Sequence, residues 1–304
     1  VEIEPQPFSE QEDLAEKDGI SKISLGNGQS GYMGIVINTL TELKATLAIL
    51  NPKEQNSFEY DLSKTIYDLL NPEVKTLGIM TGLPIMGVAR DGDVASKNRW
   101  AIYDLLSNNF KTRLVGLESK IIPSDLEVLL VIHPKKMSKE TQEVISEFVL
   151  KGGKLILFSD PLAETDPVTP DPSQPNIMPN LESNPDTLLE NLGVSMKKSG
   201  VLANQELAVK VNFSTQTGPK TIAYLPWFQI RNDSINVKSL ITKNLEIINV
   251  GTSGYIELID TEAARKFKYQ PLLLLPKKTG TLSTNDVIST RNPEELPKKM
   301  KLLS

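Results

Sequence analysis

Between Glu127 and Pro161 the chain reads EVLLVIHPKKMSKETQEVISEFVLKGGKLILFSDP: an apolar run, a helical segment, a Gly-Gly pair and a second apolar run. Two strands joined through a helix are parallel neighbours, because a tight turn cannot return the chain to the same end of a sheet. Ser138 is placed to cap the helix, with Glu140 in its positively polarised first turn. Val144, Ile145, Phe148 and Val149 share one face, and Gly152-Gly153 supplies a left-handed stop. The unbroken apolar run in KLILFSD predicts a strand buried on both faces.

The same unit occurs earlier. KTLGIMTG predicts a strand from about Thr76 to Met80, followed by a helix over SKNRWAIYDLLSNNF with Trp100, Ile102, Leu105 and Leu106 turned inward. A further strand is expected from Thr112 to Gly116. Repeated strand-helix units make the fold class α/β, with a doubly wound, mostly parallel sheet.

Three stretches frame that sheet. Residues 1–55 form a small α+β region with a strand at Glu2 to Glu4, a helix from Ser9 to Lys17 stopped by Gly19, and a hairpin. The hairpin is GNGQSG, Gly26 to Gly31, which matches a dinucleotide fingerprint letter for letter. That fingerprint needs a helix directly after the glycines, and the strand-like YMGIVINT follows instead. Asn27-Gly28 is a hairpin turn pair. Residues 56–280 form the sheet domain. It opens with a helix over 57–70 that places Leu62, Ile66, Leu69 and Leu70 on one face. It also holds a Pro-rich variable loop over 160–186. Beyond the loop, DTLLENLG is a short helix. The runs LAVKVNF, TIAYLPWFQI, LEIINV, YIELI and PLLLLP are expected to extend or flank the same sheet. Residues 281–304 read as a polar tail or linker. Val1 in place of a starting methionine implies a piece of a longer chain.

Composition narrows the chemistry. The chain has no cysteine, which excludes thiol nucleophiles, Cys-ligated zinc and disulfides. A single histidine, His133, excludes a multi-His metal site, and no metal or cofactor is expected. No GxSxG elbow surrounds a serine, so no catalytic residue is assigned. A net charge of −5 with scattered bases argues against nucleic acid. No apolar run approaches the roughly 20 residues that cross a bilayer.

The candidates for ligand or partner binding are therefore strand-end residues: Thr81, Gly82, His133 and Asp160. Carboxyl ends of parallel strands are where open α/β sheets bind ligands. Asp160 has two readings there. It is either a ligand contact, or the start of an Asp-Pro turn whose carboxylate accepts backbone N–H bonds. Gly82 either lets a ligand approach the backbone or serves a turn. His133, followed by Pro134, reads foremost as structural. Trp227 is a core residue or an aromatic platform for a sugar or peptide.

Residues 124–162, from SDLEVLLVIHPKK to LFSDPL, resemble the signature of the GldG-like auxiliary proteins of ABC-type transport systems. FEYDLSKTIYDLL and KTLGIMTGLP are similar to that family's helix and strand before it. Leu83-Pro84 stand where a polar pair is usual, and Ala203-Asn204 where an aspartate is frequent. The resemblance implies a flavodoxin- or glutamine-amidotransferase-like sheet preceded by a thioredoxin-like remnant. It further implies a non-catalytic, extracytoplasmic domain on the periplasmic face of a bacterial inner membrane. Membrane helices outside this sequence would anchor it beside an ABC permease and ATPase. Amidotransferase chemistry needs a cysteine, so fold similarity to those enzymes carries no activity. The alternative is a carbohydrate-binding or carbohydrate-processing protein using Asp160, with a glycan or peptide as ligand.

Overall fold

The computed structural model describes residues 2–26, 29–50, 55–87, 99–168, 180–197, 200–215, 218–262, 264–290 and 292–303. The chain divides into two compact units, Val1–Val74 and Lys75–Ser304.

The first unit contains α1 (Glu10–Lys17), hairpin strands β1 (Lys22–Gly26) and β2 (Gln29–Tyr32), a second hairpin of β3 (Ile35–Asn38) and β4 (Lys44–Leu47), and α2 (Gln55–Leu70). Ser9 caps α1 by accepting from the Glu12 amide at 3.3 Å, as its position before an acidic first turn predicts. Gly26 lies opposite Gln29 in an antiparallel ladder, so strands pair on either side of the motif and no helix follows its glycines. The Asn27-Gly28 turn itself lies outside the described residues. Glu2 to Glu4 are not a strand. Unlike the expected boundary after residue 55, the division leaves α2 with the hairpins, where it packs on β4. One hairpin strand covers little of its apolar face, and Ile66 and Leu70 stay exposed.

The second unit opens with β5 (Thr76–Thr81), α3 (Ala101–Asn109), β6 (Lys111–Leu114), β7 (Val128–Ile132), α4 (Lys139–Leu150) and β8 (Lys154–Phe158). These strands form a four-stranded parallel sheet in the order β6-β5-β7-β8. One face packs Leu77, Ile79 and Leu130 with Trp100, Tyr103 and Leu106 around α3. The other packs Met80, Leu129 and Val131 with Ile145 and Phe148 of α4. Ser138 caps α4, and Gly152 takes the left-handed conformation at φ +97° just after it.

Two expectations shift here. The inward face of α3 carries Trp100, Tyr103 and Leu106, while Ile102 and Leu105 are exposed. The Trp100 amide donates to Ile85 O at 2.9 Å, which sets the helix entry and rotates the face. The start of the expected helix, Ser96 to Asn98, lies outside the described residues. Strand β8 is an edge strand buried on one face only: Leu155 and Leu157 pack toward α4, and Ile156 and Phe158 are exposed. An apolar run is equally compatible with one covered face when no neighbouring helix reaches the other.

After β8 come α5 (Asp186–Asn191), β9 (Val194–Met196), β10 (Val201–Asn204), β11 (Ala208–Thr215), β12 (Gly218–Arg231), β13 (Ile247–Gly251), β14 (Ile256–Leu258), β15 (Thr279–Leu282), α6 (Thr284–Ser289), α7 (Leu296–Lys299) and β16 (Lys301–Leu302). None of these strands joins the parallel sheet. They pair antiparallel in three groups: β11-β12-β13, β10-β15-β16 and β9-β14. PLLLLP contributes only a bridge between Leu273 and Ile235. The expected tail is folded as well. Val287 and Leu296 are buried in a cluster with Leu162, Val201 and Leu225, and β16 pairs with β15. Its polar composition hid a few apolar anchors, Val287 on α6 and Leu296 on α7.

Candidate functional site

Strands β5 and β7 are adjacent, yet the chain makes β6 on the far side of β5 between them. The crevice beyond their carboxyl ends is a topological switch point, the place where open sheets gather ligand-facing residues. Three of the four candidates meet there. The Gly82 amide donates to Ile132 O at 3.2 Å. A Cβ on Gly82 would stand 2.6 Å from the carbonyl oxygen of His133, so only glycine lets the two strand ends approach this closely. Thr81 turns away from the group: its hydroxyl accepts from the Leu83 amide at 2.9 Å and stabilises its own loop. That loop continues into the core through buried Leu83 and Ile85.

His133 is 1% exposed and sits at φ +46° immediately before Pro134. Left-handed backbone is costly for a residue with a Cβ, and a following proline disfavours helical conformations further. Such strain persists only where the surroundings over-determine it. Here they do. The His133 amide donates to Phe158 O at 2.9 Å, Nδ1 lies 2.9 Å from Ser183 Oγ, and Nε2 lies 3.2 Å from Asp166 Oδ2. Lys135 Nζ donates to the same Asp166 oxygen at 2.6 Å. The Asp160 amide donates to Ser183 Oγ at 3.0 Å, and the Ser183 amide returns a bond to Asp160 O at 2.9 Å.

One arrangement of protons satisfies every partner. Asp166 can only accept, so Nε2 carries the ring proton, and Nδ1 of a neutral ring accepts from the Ser183 hydroxyl. Burial raises the Asp166 carboxyl, but the hydrogen bonds from Lys135 and His133 outweigh it and hold the group below the usual aspartate range. Asp160 behaves oppositely: burial pushes its carboxyl up.

Ser183, His133 and Asp166 are the residue types of a hydrolase triad, but the geometry differs. Ser183 is fully buried, leaving no approach for a substrate carbonyl, and its oxygen already receives the Asp160 amide. The bonds instead clamp the returning arm of the 160–186 loop to the strand ends. A second clamp follows directly. Buried Gln142 of α4 donates to Met137 O and Asn184 O at 3.2 and 3.1 Å and accepts from the Leu188 amide at 3.1 Å. Asn184 Oδ1 accepts from the Met137 amide. Residues 169–179 of the loop lie outside the described residues.

The Asp160 reading is corrected in detail. Its backbone makes the turn bonds, while its carboxylate has no hydrogen bond among the described residues. Asp160→Asn should therefore keep the fold and shift stability by less than about 1 kcal/mol, toward greater stability near neutral pH. Thermal unfolding of the two proteins checks this, and a large loss would show that the carboxylate has a partner. Pattern reading missed Lys135, Asp166 and Ser183. The Asp-Pro pair recurs at Asp166-Pro167 and again at Asp171-Pro172, so it did not single out Asp166.

Other features lie apart from this cluster. A cavity of about 620 Å³ opens at the amino ends of β7 and β8, lined by Lys120, Ile122, Glu127, Phe148, Lys151 and Lys154. It sits at the opposite end of the sheet from His133, so volume and buried polar chemistry do not coincide. Trp227 is partly exposed rather than core: its indole N–H donates to Glu164 at 2.8 Å, with Tyr224 edge-on at 5.5 Å between ring centroids. Asn204 accepts from the Glu206 and Leu207 amides at 3.0 Å and donates to Lys277 O and Thr279. Among the described residues, no helix is long and apolar enough to cross a membrane, and no cluster of acids and histidine could hold a metal ion.

Comparison with curated proteins finds no match. Comparison with solved structures finds none either. A family described as "ABC-type uncharacterized transport system" matches residues 74–303, which spans the second unit almost from end to end. The chain thus belongs to that family and is an auxiliary component of an ABC-type transport system.

Proposed function

We propose that this protein is a non-catalytic binding or scaffolding subunit, holding a permease and ATPase partner rather than turning over a substrate. One observation carries the reading: the polar residues at the switch point are spent on each other. His133, Asp166, Lys135 and Ser183 form a closed set of hydrogen bonds, so none of these four is left as a free nucleophile or base. Rigid strand ends with clamped loops suit a docking platform, because a partner then binds without ordering cost. Within this reading the sheet is the doubly wound core of a GldG-like domain, displayed on the extracytoplasmic face of a bacterial membrane and tethered by helices outside this sequence.

Affinity purification of the tagged full-length protein from its native membrane, followed by mass spectrometry, tests the proposal. Co-purification of an ABC ATPase and permease is the expected result. Recovery of the protein alone, or with bound glycan, would overturn it and favour the carbohydrate reading. Trp227 beside Glu164 is the observation that favours that second reading.

A further inference from the structure

Within the segment Ser234 to Leu245, SINVKSLITKNL, the turn from Lys238 to Lys243 is folded inside out. Its hydroxyl residues are buried, Ser239 at 7% and Thr242 at 3% exposure, while the neighbouring Leu240 and Ile241 are 82% and 73% exposed. This is the reverse of what transfer free energies favour, since burial of a large aliphatic side chain is stabilising and burial of a hydroxyl is not.

Hydrogen bonds impose the display. Thr242 Oγ1 donates to Asn236 O at 2.6 Å, and the Thr242 and Lys243 amides donate to Ser239 O at 3.2 and 2.8 Å. Asn236 is itself anchored: its amide donates to Leu272 O and its Nδ2 to Pro271 O, both at 2.9 Å. The two aliphatic tips are thus held out by a braced turn. Val237, Leu245, Ile247 and Leu274 are exposed alongside them, which extends the apolar surface across the bridge between Ile235 and Leu273.

Charge selects the occupant. Lys238 and Lys243 flank the tips, neither has an ion-pair partner among the described residues, and acids begin only at the borders, Asp233 and Glu246. In a chain of net charge −5, this segment has the opposite sign. We propose that the 237–245 turn is a membrane-surface wedge: Leu240 and Ile241 enter the headgroup and acyl boundary of an anionic bilayer, and Lys238 and Lys243 meet lipid phosphates. Aliphatic tips between lysines fit that boundary. A protein-binding hot spot would instead be expected to present Trp, Tyr or Arg. The argument rests on the turn alone and is independent of the transport reading.

Vesicle flotation of the 304-residue chain is the test, with phosphatidylcholine vesicles that contain or lack phosphatidylglycerol. The chain should float with anionic vesicles only, and salt of about 0.5 M should release it, since surface charges are screened. A Leu240→Ser/Ile241→Ser double variant should lose about tenfold or more in partitioning. Lys238→Glu/Lys243→Glu should lose a similar factor. Because all four side chains are exposed, thermal unfolding of both variants should match the parent. Flotation equal for parent and variants, no flotation with either vesicle, or insensitivity to salt would overturn the proposal. So would self-association in sedimentation velocity that the Leu240→Ser/Ile241→Ser variant abolishes, because the turn would then be a protein contact.

Discussion

Asp166→Ala is expected to lower the unfolding free energy by about 3–5 kcal/mol in chemical denaturation, the range for removing one partner of a buried charge pair. The side chain is 4% exposed, and its loss leaves both the Nε2 proton of His133 and the ammonium of Lys135 without an acceptor. Asp166→Asn keeps an acceptor for His133 and removes only the charge facing Lys135, so its loss should be smaller, about 1–3 kcal/mol. The pH dependence separates the two contributions. A carboxyl held below its ordinary range stabilises fully above the unfolded-state pKa, and that stability is lost as pH falls through the folded-state value. The parent should lose this contribution below about pH 4, and the Asn variant should titrate with a shallower slope there. Asp160 works in the other direction, because its raised carboxyl relieves an unfavourable buried charge as pH falls through that value. Identical acid profiles for parent and Asp166→Asn would mean that the Lys135 pair contributes nothing.

Gly82→Ala carries the second large effect, a loss of about 1–3 kcal/mol from overpacking. The obstacle is a backbone atom, the His133 carbonyl oxygen at 2.6 Å from the new Cβ, and it cannot rotate away as a side chain would. Relief requires β5 and β7 to separate at their carboxyl ends. That separation pulls on the His133 amide bond to Phe158 and on the Ser183 clamp. Hydrogen exchange at His133 and Asp160 should accelerate in this variant, while exchange in the β11-β12-β13 sheet stays as in the parent. Unchanged melting and unchanged exchange would show that the strand ends are looser than their packing implies.

The strand-helix-strand order of 127–160 was legible from the sequence. The Ser138 cap, the Gly152 stop, and the roles of Ile145 and Phe148 depend on neighbours three or four positions away, within reach of a pattern. The GNGQSG hairpin was legible for the same reason, since turn chemistry and strand propensity act locally. Burial was less so. KLILFSD reads alike whether one face or two are covered, and only the edge position of β8 distinguishes them. The folded state of residues 281–303 escaped because a few side chains, Val287 and Leu296 above all, outweigh a polar background once partners from β10 and β12 surround them.

Local periodicity and turn preferences are written in adjacent residues, and they set most of this chain's longer helices, its parallel strands and the places of Gly82, His133 and Asp160 at the strand ends. Which partners those residues meet is a different matter. Ser183 and Asp166 reach His133 from 50 and 33 residues away, across a proline-rich loop with no regular spacing to reveal the pairing. The same holds for the turn that exposes Leu240 and Ile241, whose brace comes from Pro271 and Leu272. Long-range hydrogen bonds in low dielectric, satisfied all together or costly if left open, decided both arrangements.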